Sequence, residues 1–261
     1  MGGALANLVF QPPEPMYSMD PNLIWLRTSM GELIPAFFIN RWARYTLLFS
    51  HGNAEDLGGV IEMVREISDT LEVNVLVYEY TGYGMSSGEP QEASVYTNIE
   101  AAFYYLRDVV GVPWEQIIVY GWSIGSGPSV HLASQTPVRA LVLQSALSSV
   151  LRVALRTRAT LPGDLFPNID RIGDVACPIL IIHGTKDEII PVQHARDLAA
   201  QCRPDSAYPP CYLDGGGHCN LEKVAKQEFY DSFSAFLQWL ESEELRPEVY
   251  KQVVRVGRLS P

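Results

Sequence analysis

The chain has 261 residues, 47% of them hydrophobic and 19% charged, which suits one large core and the size of a single α/β domain. Nineteen Lys and Arg against thirty Asp and Glu give a net charge of −11, which argues against a nucleic-acid partner and gives no overall attraction to anionic lipid. Four cysteines (Cys177, Cys202, Cys211, Cys219) are too few for a disulfide framework and match no zinc spacing, so they read as reduced thiols with no metal.

The start, MGGALANLVF, lacks the basic stretch of a signal peptide, and Ala6 stands where a myristoylation motif wants Ser or Thr. Its Leu5, Leu8, Val9 and Phe10 suit packing on the domain better than membrane contact. No apolar run approaches the roughly 20 residues that span a bilayer. NLIWLR and LIPAFFI predict an opening pair of strands. YTLLFS, VNVLVYEY, QIIVY, RALVLQ and PILIIH are continuous apolar runs, the signature of a parallel sheet covered on both faces. AYPPCYLD supplies one more strand, its prolines at the start.

Helical periodicity fills the gaps. LGGVIEMVREISDTL places Val60, Ile61, Val64, Ile67 and Leu71 on one stripe. YTNIEAAFYYLRDVVG does the same with Ile99, Ala102, Phe103, Leu106 and Val110, and stops at Gly111. A long amphipathic helix, starting at LEKVAKQEF, closes the pattern. This alternation predicts an α/β fold: a mostly parallel sheet of about eight strands with helices on both faces, forming one domain over residues 1–245 with a polar tail over 246–261. Residues 146–176 break the rhythm. They read either as a small cap over the carboxyl ends of the strands or as an ordinary crossover helix.

IIVYGWSIGSGPSV places Ser123 in a Gly-x-Ser-x-Gly pattern between a strand and a helix, the setting of an exposed nucleophile on a sharp turn. Such a serine needs a histidine to take its proton and a carboxylate to orient that histidine, in the chain order serine, acid, histidine. Asp187, after the strand PILIIH, is the preferred acid, with Glu188 and Asp214 as alternatives. His218, in the glycine-rich LDGGGHCNLE, is the preferred base over His131 and His194, which read as structural or surface residues. The oxyanion donors expected are the backbone N–H groups of Ile124 and, from the loop SHGNAED, of Asn53, with Ala54 second. His51 reads as a brace for that loop, and Glu55 and Asp56 as caps of the following helix. Trp122 either narrows acyl access or packs under the turn. Leu151, Leu155, Leu161 and Phe166 of the insertion suggest an acyl pocket, though such residues equally form core.

The segments LLFSHGNAEDLG, YEYTGYGMSSGEP, VYGWSIGSGPSVHLAS, ILIIHGTKDEIIP and GGGHCNLE, with FQPPEPMY and DLFPNIDRI, closely resemble the α/β-hydrolase domain-containing protein 17 family over roughly residues 8–240. The resemblance implies the α/β-hydrolase fold, a triad at Ser123, Asp187 and His218, no cofactor, and hydrolysis of the thioester that joins palmitate to a protein cysteine. Its implied partners are S-acylated proteins or lipid esters, met in the cytoplasm or peripherally at the cytoplasmic face of a membrane. Family members usually carry a palmitoylated, cysteine-rich leader, whereas no cysteine precedes Cys177 here. Two other readings are a hydrolase of small or lipid oxyesters and a binding protein that kept the fold without the chemistry.

Overall fold

The computed structural model describes residues 9–244; Leu5, Leu8 and the tail over 246–261 lie outside them. Eight strands run in chain order: β1 (Ile24–Arg27), β2 (Leu33–Ile39), β3 (Thr46–Ser50), β4 (Asn74–Tyr78), β5 (Ile117–Trp122), β6 (Ala140–Gln144), β7 (Ile179–Gly184) and β8 (Cys211–Leu213). They form one sheet in the order β1-β2-β4-β3-β5-β6-β7-β8. The β1–β2 and β2–β4 pairs are antiparallel and every later pair is parallel. The helices are α1 (Leu57–Leu71), α2 (Glu92–Tyr104), α3 (Ser126–Gln135), α4 (Val150–Leu155), α5 (Asn168–Arg171), α6 (Gln193–Gln201), α7 (Leu221–Val224) and α8 (Lys226–Glu244).

The continuous apolar runs follow from burial on both faces of the sheet. Successive side chains alternate sides: Leu48, Leu76 and Val119 pack into one layer with Ile99 and Phe103 of α2 and Val130 of α3. Leu47, Phe49, Val75, Val77, Ile118 and Tyr120 pack into the other, against Val60, Val64 and Ile67 of α1 and Phe229, Phe233 and Phe236 of α8. Each such fully buried side chain is worth about 1.5–3 kcal/mol of burial free energy. Asp56 caps α1, accepting from the Gly59 N–H at 2.8 Å.

Three boundaries differ from the sequence pattern. The helix through Leu106 widens into a π-helix over Tyr105–Val110 before Gly111 closes it with a φ of 81°. The wider turn rotates Val110 off the buried stripe and leaves it exposed. The closing helix breaks at Ala225, separating the short α7 from α8. AYPPCYLD forms a strand only over Cys211–Leu213, with an isolated bridge from Ala207 to Ile179 before it, because Pro209 and Pro210 offer no N–H to a ladder.

Candidate active site

The carboxyl end of β5 runs straight into Ser123, whose φ of 55° is left-handed and strained for a residue with a β-carbon. The flanking glycines make that turn sterically possible. A methyl on Gly121 would lie 2.7 Å from the Gly125 carbonyl oxygen and from Ser129 Oγ, and a methyl on Gly125 would collide with the Ser50 carbonyl oxygen. The turn is therefore pressed directly against the end of β3. α3 begins three residues after Ser123 and points its positive end at this site.

Two loops converge on Ser123. Asp187 lies in the turn after β7, and His218 in the loop between β8 and α7. His218 Nε2 is 2.8 Å from Ser123 Oγ, and its Nδ1 is 2.7 Å from Asp187 Oδ2. The other carboxylate oxygen, Oδ1, accepts from the Ile189 and Ile190 N–H groups at 2.9 and 2.8 Å. Burial pushes the Asp187 carboxyl up, but the bonds from His183 and His218 outweigh it and hold the group well below the usual carboxylate range. An ionised acid fixes the proton of His218 on Nδ1, leaving Nε2 free to accept from a serine hydroxyl.

The competing residues stand elsewhere. Asp214 accepts from Thr185 Oγ1 at 2.9 Å, and Glu188 is exposed. His131 stacks on Tyr96 with ring centroids 3.8 Å apart. His194 Nδ1 accepts from the Ser148 N–H at 3.2 Å.

The loop after β3 is held from below and from above. Below, His51 is fully buried with Nδ1 2.9 Å from the Gly52 carbonyl, so Nδ1 must be the donor. His51 Nε2 and Glu79 Oε1 lie 3.0 Å apart, in hydrogen-bond contact. Glu79 Oε2 also accepts from Tyr17 Oη at 2.9 Å and from the Leu57 N–H at 3.1 Å. Above, the chain over residues 9–17 crosses the loop as a strap. Asn53 Nδ2 donates to the Val9 carbonyl at 2.6 Å, and Asn53 Oδ1 accepts from the Gln11 N–H and Tyr83 Oη at 3.1 and 2.6 Å. The Met16 N–H donates to Asp56 Oδ2 at 2.6 Å. Ala54 follows with a left-handed φ of 55°. Ile124 directly follows Ser123 and is buried. Nothing local in the sequence signals the strap or Glu79, since each contact joins residues far apart in the chain.

Residues 45–171 match the family described as alpha/beta hydrolase fold. Human alpha/beta hydrolase domain-containing protein 17B is 42% identical over 252 residues, which cover 85% of this chain and 86% of that protein. The chain belongs to the alpha/beta hydrolase domain-containing protein 17 family. The 17C protein of Xenopus laevis is 44% identical over 203 residues, covering 77% of this chain, and the match spans 65% of that relative's length. Among solved structures, a Pyrococcus furiosus esterase superposes with a TM-score of 0.74 at 16% identity, over 88% of this chain and 97% of the esterase. Mouse alpha/beta hydrolase domain-containing protein 10 gives a TM-score of 0.62 at 20% identity, over 84% and 99% of the two chains. These two share the fold.

In this protein 17 family member, two cavities among the described residues lie near the triad, neither of them lined by Ser123 or His218. One, of about 480 Å³, touches Asp187 and is lined by Arg152, Arg156, Arg158, Glu188 and His194. The other, of about 660 Å³, is lined by Glu55, Met63, Trp122, Cys219 and Glu222. Trp122 is buried, with its ring edge facing the α-carbon of Gly52. Leu151, Leu155 and Phe166 line neither of these two cavities. Leu151 is half-buried and Leu155 is 59% exposed on the outer side of α4. Phe166 is fully buried: Gly127 leaves a slot in α3 that its ring fills, edge-on to Phe10 and Tyr96. It anchors the 146–176 insertion to the core.

Proposed function

We propose that this hydrolase-family protein is a serine hydrolase that cleaves acyl thioesters, with palmitoyl-cysteine in proteins as the substrate class. The reading is carried by one observation, the unbroken chain of contacts from Ser123 Oγ through the His218 ring to Asp187. Ser123 Oγ attacks the acyl carbonyl while His218 Nε2 takes its proton. The oxyanion is received by the Ile124 and Asn53 N–H groups, each worth about 10²–10³ in rate where such donors have been removed. Collapse of the tetrahedral anion breaks the C–S bond, and the cysteine sulfur leaves with the proton from His218. Water then attacks the acyl-serine as His218 takes one of its protons, releasing the fatty acid and restoring Ser123. No cofactor enters any step.

Peripheral contact with a membrane is consistent with Leu155, Leu161 and Ile189, which are exposed beside the cavity that carries Arg152, Arg156 and Arg158. Among the described residues no helix is long and apolar enough to cross a membrane. A second reading, hydrolysis of small oxyesters, draws support from the charged side chains that line both cavities. The two readings separate in one experiment: turnover of a palmitoylated-cysteine peptide beside a short-chain oxyester, for wild type and Ser123→Ala. Long-thioester turnover that vanishes with the serine supports the first. Cleavage of the short ester alone leaves the triad and removes the thioester assignment.

A further inference from the structure

We propose that His183 is a positioning residue for the acid: a single N–H holds both the Ile190 carbonyl that closes the acid turn and the carboxylate oxygen that faces His218. The inference rests on the hydrolase reading of Ser123, Asp187 and His218. His183 is the penultimate residue of β7 and is fully buried. Its Nε2 lies 2.8 Å from the Ile190 carbonyl oxygen and 3.2 Å from Asp187 Oδ2. A carbonyl and an ionised carboxylate can only accept, so Nε2 carries a proton. That Nδ1 is itself buried with no partner.

An unpaired buried nitrogen is a liability in a strand otherwise built of Ile and Leu, where an apolar residue would pack without penalty. What the histidine provides is its one donated hydrogen. It ties the β7 backbone to the Asp187–Ile190 turn, whose other side is closed by the Ile189 and Ile190 N–H groups on Oδ1. It also shares Oδ2 with His218 Nδ1, so the carboxylate plane is fixed by four donors rather than three. The second effect is electronic. A donor on the oxygen that faces His218 draws charge from it, tempering its hold on the imidazolium formed when Ser123 attacks. The other titratable and charged groups that face this pair are His194 and Asp197 of α6, Arg152 of α4, Glu188 of the acid turn and Cys219 beside the base.

The test uses the full chain, a short-chain p-nitrophenyl ester and an alkyl fluorophosphonate probe, with His183→Phe and His183→Gln. Phenylalanine keeps the ring and removes the donor; the glutamine amide reaches the place of Nε2. The Phe variant is expected to keep its KM and lose about 10- to 100-fold in kcat, the range seen when the outer hydrogen-bond partners of metal-binding side chains are removed. The acid limb of its kcat/KM profile moves to higher pH, because the relieved oxygen binds the imidazolium more strongly. The Gln variant restores most of kcat and returns the limb. If His183→Phe does not fold, His183→Asn, whose amide stops short of the Nε2 position, carries the same expectation.

A Phe variant with wild-type kcat and an unmoved acid limb overturns the inference. So does a loss of activity that tracks melting temperature and is not rescued by Gln. A wild type that neither turns over the ester nor reacts with the probe overturns the hydrolase reading and this inference with it.

Discussion

The α-carbon of Gly125 rests on the carbonyl oxygen of Ser50 so closely that no β-carbon fits between them. That contact sets the distance between the serine turn and the loop that carries Asn53. Gly125→Ala must push the two apart. Overpacking of this kind costs about 1–3 kcal/mol of stability. Misplacing a reacting group by about 1 Å costs on the order of 100-fold in rate. The expected result is a modest fall in melting temperature with a much larger fall in kcat, read by thermal denaturation and ester turnover on one preparation.

The strap predicts a graded effect at Asn53. Asn53→Ala keeps the peptide N–H but removes the bonds to Val9, Gln11 and Tyr83. The loop then wanders without losing its donor. We expect kcat to fall by about tenfold, less than the roughly 10²–10³ that follows deletion of an oxyanion donor outright. Tyr83→Phe, which removes only one of the three bonds, should fall between Asn53→Ala and wild type. An Asn53→Ala variant with unchanged kcat would sever the strap from function.

Phe166 packs the insertion onto α3. Phe166→Ala empties the slot beside Gly127 and should cost about 3–5 kcal/mol, as buried Phe truncations do. The milder Phe166→Leu should lower the melting temperature while leaving the preference among acyl chain lengths unchanged. A shift in chain-length preference would place Phe166 at the acyl site.

Between α2 and α3 the fold holds a neutral histidine. Burial and, secondarily, Arg171 push His131 down from 6.5 to about 4. The unfolded chain therefore binds the proton first, so stability is full above pH 6.5 and is lost as pH falls through the window from 6.5 to about 4. Glu100, 3.6 Å away and itself raised by burial, does not hold the charged form. His131→Phe preserves the stack on Tyr96 and removes the titration. Its melting temperature should fall less steeply with pH across that window, which a denaturation series on both proteins measures. Asp187, depressed by its donors, stabilises the fold above the ordinary carboxylate range and acts only below this window.

The sheet was legible because burial on both faces leaves no polar face to a strand, so runs such as ILIIH announce themselves. Strand order and the antiparallel β2–β4 pairing were not, since pairing depends on contacts that no single run encodes. Ser123, Asp187 and His218 were singled out by their places at strand ends, and the fold brings the three within hydrogen-bond reach of one another. The packing of Phe166 against Gly127 was not legible, because apolar character alone does not name the partner a ring packs on. The Tyr17–Glu79 bond joins positions 62 apart and leaves no local pattern. His183 stood four residues before Asp187 in plain view, but only the curl of the acid turn aims its Nε2 at Ile190 and the carboxylate.

The central claim is that Ser123 is a nucleophile. Its most direct test is intact mass after treatment with an alkyl fluorophosphonate, followed by mapping of the modified peptide. A single adduct on Ser123, absent from Ser123→Ala and from protein unfolded beforehand, is the predicted result. No adduct, or one on another residue that persists in Ser123→Ala, would contradict the claim.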